Sequence, residues 1–339
     1  MLLAAAALAV LPASGEAAAP ACTGDPTRTL STQPAFGLAG LYALPARPPA
    51  VLAVFAHGYR NASPSWAPHL VAAARDHGAV AVAVDYRGLG PAPDYRGWPA
   101  AAGARDLVTA GRYFAARCPS IKQVALLGVS MGGNMSGLAL ASRATRPGSS
   151  RPLFDFWVDV EGVTNLTETW SEASASAGGN PYAAGARDDI EKETGGPFPQ
   201  QPAAFQSRTV VMRADDVAAA HPRGVVMIHS AEDGLVPYDQ TREMAAALRS
   251  RHVPTDVYTV LRRTSARDPG HDQTTLIGDV APSLADSDPF SGHAWEGSTT
   301  HIVMRTAMAR LWALVGSRAA QPRDREYLVD AQAGTVPAA

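Results

Sequence analysis

Lysine is almost missing from this chain of 339 residues. Only Lys122 and Lys192 occur, so the 29 basic residues are nearly all arginine. Together with the abundant alanine, this composition is that of GC-rich bacterial coding. Basic residues do not exceed the 31 acidic ones, and the formal net charge is −2. There is no cationic excess to neutralise phosphates, which argues against a nucleic-acid partner. Cysteine is nearly as scarce. Cys22 and Cys118 are too few for a disulfide framework or a zinc cluster. They suffice for one intramolecular bridge in an exported protein. Past the N-terminus no apolar run reaches the roughly 18 residues that a membrane span requires. The sequence has no G-x-G-x-x-G fingerprint, no phosphate loop and no histidines at metal-ligand spacing, so neither a cofactor nor a metal is implied. What remains is an ordinary globular composition, 46% hydrophobic and 18% charged.

Residues 1–11 form an unbroken apolar run, and small residues follow to Ala17, Ala18 and Ala19. The pattern predicts a signal peptide over residues 1–21, hence a secreted, extracellular protein. A lipoprotein anchor at Cys22 is the weaker alternative. Cys22 and Cys118 would then meet an oxidising environment, and pairing them would pin the segment after the cleavage site to the domain.

Short continuous apolar runs at 51–55, 79–84, 124–127, 156–160 and 225–228 predict strands buried on both faces, and a further strand is expected at 256–261. Between and beyond them, 66–77, 100–117, 238–251 and 300–315 carry helical periodicity, the last with Ser298 or Thr299 as N-cap. Such alternation predicts an α/β fold with a mostly parallel sheet and helices on both faces. The stretch 166–223 breaks the rhythm. It is rich in Gly, Ala, Ser and Pro, with a helix expected at 184–193, and reads as an inserted lid. Its Trp170, Tyr182, Phe198 and Phe205 would line a site or form a small core of their own. The expected organisation is a core over 22–165 and 224–316, the lid between, and a polar tail over 317–339.

Gly128-Val129-Ser130-Met131-Gly132 fits G-x-S-x-G. The bare pattern is short, but here it follows an apolar strand and opens a helix, the strand–turn–helix setting of a nucleophile elbow. The glycines keep bulk away from a strained serine, and the helix N-terminus offers N–H groups to an oxyanion. Upstream, the strand at 51–55 runs into His57-Gly58-Tyr59, whose Tyr59 N–H is placed to be the second oxyanion donor beside that of Met131. Downstream, the strand at 225–228 runs into Glu232-Asp233-Gly234.

With these residues, and Asp85-Tyr86-Arg87-Gly88 after an earlier strand, the chain resembles the α/β-hydrolase superfamily over about residues 45–316. The order Ser…Asp…His is that superfamily's, and the elbow looks most like secreted bacterial serine esterases and peptidase-like hydrolases. The resemblance implies Ser130 as nucleophile, Asp233 as acid and a histidine from the loop before the last helix as base. Glu232 neighbours Asp233, and Asp159 and Glu161 are weaker alternatives to it. His293 is favoured as base because it lies a few residues before the last helix, between the small Gly292 and Ala294; His271 is the alternative. His57 and His301 are expected to be structural. The implied activity is cleavage of small or polymeric carboxylic esters through an acyl-enzyme. Alternatives are a peptidase or amidase on the same residues, and a non-catalytic binding protein on this fold.

Overall fold

A computed structural model describes residues 22–231, 233–261, 292–331 and 336. Two short elements, β1 (Leu30–Ser31) and α1 (Gln33–Phe36), lead into β2 (Gly40–Ala43) and β3 (Val51–Ala56). Then come α2 (Ala67–His77), β4 (Val80–Val84), α3 (Ala100–Arg117), β5 (Gln123–Val129), α4 (Met131–Ala141) and β6 (Phe156–Val160). Four helices follow without an intervening strand: α5 (Leu166–Ser176), α6 (Pro181–Thr194), α7 (Pro202–Arg208) and α8 (Ala214–Ala219). The chain returns to the sheet through β7 (Gly224–Ser230), α9 (Tyr238–Arg249), β8 (Thr255–Leu261), α10 (Ile302–Gly316) and β9 (Glu326–Asp330).

The nine strands lie in one sheet in the order β1-β2-β4-β3-β5-β6-β7-β8-β9. The β1–β2 and β2–β4 pairs are antiparallel; the others are parallel. The apolar runs form central strands because both faces are covered. Along β3, Leu52 and Val54 face a core shared with α3 and α4, whereas Ala53 and Phe55 face one shared with α2 and α10. The small residues of α4 allow burial on all sides, and none of its eleven residues is exposed. Gly78, at φ 60°, terminates α2 in the left-handed conformation expected of it.

Two expectations need correction. Residues after Ser317 are not only trailing chain, because 326–330 form β9 and pair in parallel with β8. This segment is an edge strand with charged ends, Glu326 and Leu328 being exposed and Val329 buried. The N-cap of α10 is His301, whose imidazole accepts from Val303 N–H; Ser298 Oγ instead accepts from His301 N–H at 3.0 Å. Cys22 and Cys118 form a disulfide, fastening the start of the described chain to the end of α3. The signal-peptide expectation falls on residues outside those described. Among the described residues no helix is long and apolar enough to cross a membrane.

The chain leaves β3 for β4 on one side and comes back to β5 on the other. Loops at the carboxyl ends of β3 and β5 therefore diverge, and a crevice opens where the strand order switches direction.

Candidate active site

Ser130 stands at that switch point, directly after β5 and ahead of α4. Its φ of 56° and ψ of −124° put a non-glycine residue in a sparsely populated conformation. Three backbone bonds hold the turn. Ser130 N–H donates to the Val160 carbonyl at 3.0 Å, and its own carbonyl accepts from Gly133 at 2.8 Å and Val163 at 3.0 Å. The flanking glycines are steric requirements, since a Cβ on Gly132 would run into the Ala56 carbonyl and one on Gly128 into that of Gly132. Met131 is the first residue of α4, so its N–H has no partner within the helix. Tyr59 lies in the loop after β3, one residue beyond Gly58, where an added Cβ would come within 3.3 Å of Ser130 Cβ.

The histidine comes from the loop that precedes α10. His293 Nδ1 lies 2.7 Å from Asp233 Oδ2. The other Asp233 oxygen accepts from Leu235 N–H at 2.7 Å and Val236 N–H at 3.1 Å. Both ends of this carboxylate are thus held while it faces the imidazole. Burial works against the charged form of Asp233, but His293 and His229 outweigh it and hold the group well below the usual carboxylate range. Burial likewise opposes a charged His293; the Asp233 and Glu161 carboxylates beside it prevail and raise its pKa to about 9.

Of the alternatives, Asp159 is buried in β6, which raises its pKa to about 7, and it is not brought to His293. Glu161 is brought there. Its Oε2 accepts from Ala294 N–H at 2.5 Å and lies 3.6 Å from His293 Nδ1, while Oε1 accepts from Ser230 N–H at 3.1 Å. It therefore ties the histidine loop to the end of β7 rather than taking the place of Asp233. Burial, with the Asp233 charge added, pushes Glu161 up to about 7. Glu161, Asp233 and His293 also present ligand atoms within 4.8 Å of one another. Asp233 and His293 are already engaged with each other, and Glu161 with two backbone N–H groups. Glu232 and His271 fall outside the described residues.

His57 is buried, stacks on Tyr86 at 4.1 Å and contacts the Gly58 carbonyl through Nδ1 at 3.0 Å. Burial lowers its pKa to about 4, so it is neutral and shapes the loop, as does the likewise buried His301. One strut had no signal in the sequence. Glu296 accepts from the Gly58 N–H and, at 2.5 Å, from Asn61 Nδ2. It joins the histidine loop to the loop that carries Tyr59. Only its position three residues after His293 could have drawn attention to it.

A cleft of about 450 Å3, counting its open mouth, lies over Ser130. Residues of α5 and α6 form much of its wall, with Tyr59, Trp98, Leu235 and Val236 opposite. Tyr182 is in that wall. Trp170, Phe198 and Phe205 instead pack on one another, with ring centroids 5.5–6.4 Å apart. The four aromatics of the inserted stretch therefore divide between the two roles expected for them.

A search of curated proteins finds no match to the sequence. Among solved structures, a Mycobacterium tuberculosis puromycin-hydrolyzing peptidase aligns with a TM-score of 0.52 at 15% identity, over 89% of this chain and 41% of its own. The Pyrococcus horikoshii acylaminoacyl peptidase aligns with a TM-score of 0.49 at 20% identity, over 68% of this chain and 35% of its own. An acetyl ester-xyloside bifunctional hydrolase from Caldicellulosiruptor lactoaceticus gives 0.47 at 17% identity, over 67% and 79%. The chain thus spans well under half the length of both peptidases, and these similarities speak to the fold. The sequence profile of the alpha/beta hydrolase family matches residues 53–277, about two thirds of the chain. With the Ser130 elbow at the switch point of a mostly parallel sheet, that match establishes that the chain belongs to the alpha/beta hydrolase family.

Proposed function

We propose that this chain is a secreted serine hydrolase that cleaves carboxylic esters with Ser130, His293 and Asp233. The observation that carries the reading is the 2.7 Å contact between His293 Nδ1 and Asp233, in a family member whose Ser130 sits on a strained elbow. With Nδ1 committed to the carboxylate, Nε2 is the nitrogen left to exchange a proton with substrate and serine.

In this reading Ser130 Oγ attacks the carbonyl carbon and passes its proton to His293 Nε2. Asp233 steadies the resulting imidazolium. The N–H groups of Tyr59 and Met131 hold the negative oxygen of the tetrahedral intermediate. Its collapse breaks the carbon–oxygen bond, and the alcohol leaves with the proton from His293. A water molecule, deprotonated by the same histidine, then attacks the acyl-enzyme; the acid departs and Ser130 recovers its proton. The helices of 166–223 act as a lid, a role supported by the share of the cleft wall that α5 and α6 supply. The apolar run of residues 1–11 and the Cys22–Cys118 disulfide support export.

A peptidase or amidase using the same residues is the second reading, favoured by the similarity to a puromycin-hydrolyzing peptidase. The test is a panel of p-nitrophenyl esters of increasing chain length beside matched p-nitroanilides. Esters should be turned over at least a hundredfold faster per unit kcat/KM once uncatalysed reactivity is divided out. Faster normalised turnover of the anilides would put the amidase in its place. No turnover of either class would favour a binding protein.

A further inference from the structure

Among the described residues that line the cleft over Ser130, Glu172 is the only charged one. It projects from α5, one helical turn after Glu168 and one residue before the buried Ala173. It has no hydrogen-bonding or ion-pairing partner among the described residues. Glu168, one turn away on α5, likewise has no partner for its carboxylate among the described residues, whereas on the other inserted helices Glu191 accepts from Trp170 Nε1 at 2.9 Å, Glu193 from Arg208 at 2.8 Å, and Asp189 from Tyr59 and Arg96 at 2.6 and 2.7 Å. Burial, with the negative charges of Glu168 and Asp233 added, raises the pKa of Glu172 to about 7, and a cation facing it would favour the charged form. Half-buried beside the cleft and left unpaired, this carboxylate costs the fold free energy that no internal contact returns. The walls around it include the rings of Tyr59, Trp98 and Tyr182. The nearest cation given for these rings is Arg60, 5.9 Å from the centroid of Tyr182 and not itself part of the lining, so the lining's aromatic faces and single carboxylate form a surface that attracts positive charge and repels carboxylate groups.

We propose that Glu172 makes this cleft selective for substrates that carry an ammonium group close to the scissile carbonyl. The inference rests on Ser130 being the nucleophile, and it names the class of substrate that nucleophile serves. The ammonium nitrogen would face Glu172 with its carbon framework against Tyr182 and Trp98, while the carbonyl reaches Ser130. The group could belong to the acyl part, as in an aminoacyl ester, or to the leaving part, as in an amino-alcohol ester. The recognition chemistry is the same in both.

The experiment uses two isosteric pairs with the full-length secreted protein. Leucine p-nitrophenyl ester is set against 4-methylpentanoic acid p-nitrophenyl ester, each rate divided by its rate with hydroxide. Butyrylcholine is set against 3,3-dimethylbutyl butyrate. Wild-type protein should favour the cationic member of at least one pair by tenfold or more in kcat/KM, and the pair that responds assigns the side. In Glu172→Gln that selectivity ratio should fall at least tenfold. A wild-type ratio below threefold in both pairs overturns the proposal, whatever the variant does. So does a high wild-type ratio that Glu172→Gln leaves intact, with folding of the variant verified by its thermal transition. A variant that fails to fold leaves the wild-type ratio to decide: Glu172→Lys, screened in parallel, must then lower it or the proposal falls. Failure of the underlying hydrolase reading has a separate signature, namely no turnover of any of the four esters and no labelling of Ser130 by a fluorophosphonate.

Discussion

The strand ends that carry Ser130, Asp233 and His293 and the helices of residues 166–219 face each other across one cleft, and they are built on different principles. On the sheet side the three carboxylates around His293 are each held by backbone N–H groups. Asp233 accepts two N–H groups, Glu161 two and Glu296 one beside an asparagine amide; Glu161 and Glu296 are buried residues, and the Asp233 side chain is fully covered. The helical side is assembled from side chains, with Trp170, Phe198 and Phe205 as its own apolar cluster and Asp189 as its fastening to Tyr59 and Arg96. It leaves Glu172 uncommitted. On the function proposed above, this difference would separate bond-making, which requires fixed geometry, from choice of substrate, which requires an accessible surface.

The comparison breaks most sharply at Ser130. Replacing Ser130 with Ala should lower kcat by on the order of 10⁶ while the thermal transition stays in place, since a half-exposed hydroxyl contributes little to packing. Asp233→Asn should cost about 10⁴ in kcat, because the amide no longer holds the imidazole tautomer. Retention of a tenth of wild-type turnover in either variant would remove that residue from the chemistry.

The helical side should respond in stability first. Phe205 is fully buried, and Phe205→Ala should lower unfolding free energy by about 3–5 kcal/mol. Calorimetry would show this as a lower transition temperature, whereas a loss under 1 kcal/mol would mean that the aromatic cluster is ornamental. Breaking the Cys22–Cys118 bridge with Cys118→Ser removes a link that closes a separation of 96 residues, for a cost on the order of 4 kcal/mol in the chain-entropy account.

Much of the sheet side could be read from the chain because parallel strands covered on both faces must be continuously apolar, and the elbow must be flanked by small residues. Val80–Val84 and Phe156–Val160 announce themselves in this way. That Ser130 stands on a strand-to-helix turn and Asp233 just past β7 is legible because local sequence carries them there. The sequence separates His293 from His271 less sharply, since the loop before α10 has no periodicity to measure against, and the contact of His293 with Asp233 is visible only in three dimensions. Glu161, Glu296 and Glu172 act through partners or surfaces distant in sequence, 133 residues away for Glu161 with Ala294 and 238 for Glu296 with Gly58. No local pattern encodes such pairings. β9 is not legible in the sequence because an edge strand has no need of apolar residues on both faces.

The smallest effect expected is a displacement of the pH profile. A base must be neutral to accept a proton, so kcat/KM should rise with pH as His293 loses its proton. Burial favours early loss, but the two carboxylates delay it, so the rise should lie above the ordinary histidine value of 6.5 and toward about 9. Glu161→Gln removes one of those carboxylates and should move the rise to lower pH, with kcat on the plateau changing less than in Asp233→Asn. An unmoved profile would reduce Glu161 to a clasp on the Ala294 backbone.

Labelling by a fluorophosphonate tests the central claim most directly, because phosphonylation requires a serine activated by a base. Intact-mass measurement should show one equivalent added to the wild-type protein, mapped to Ser130 by peptide sequencing, and labelling at least a thousandfold slower in His293→Ala. An unlabelled wild-type protein, or a His293→Ala variant labelled at the wild-type rate, would contradict the account.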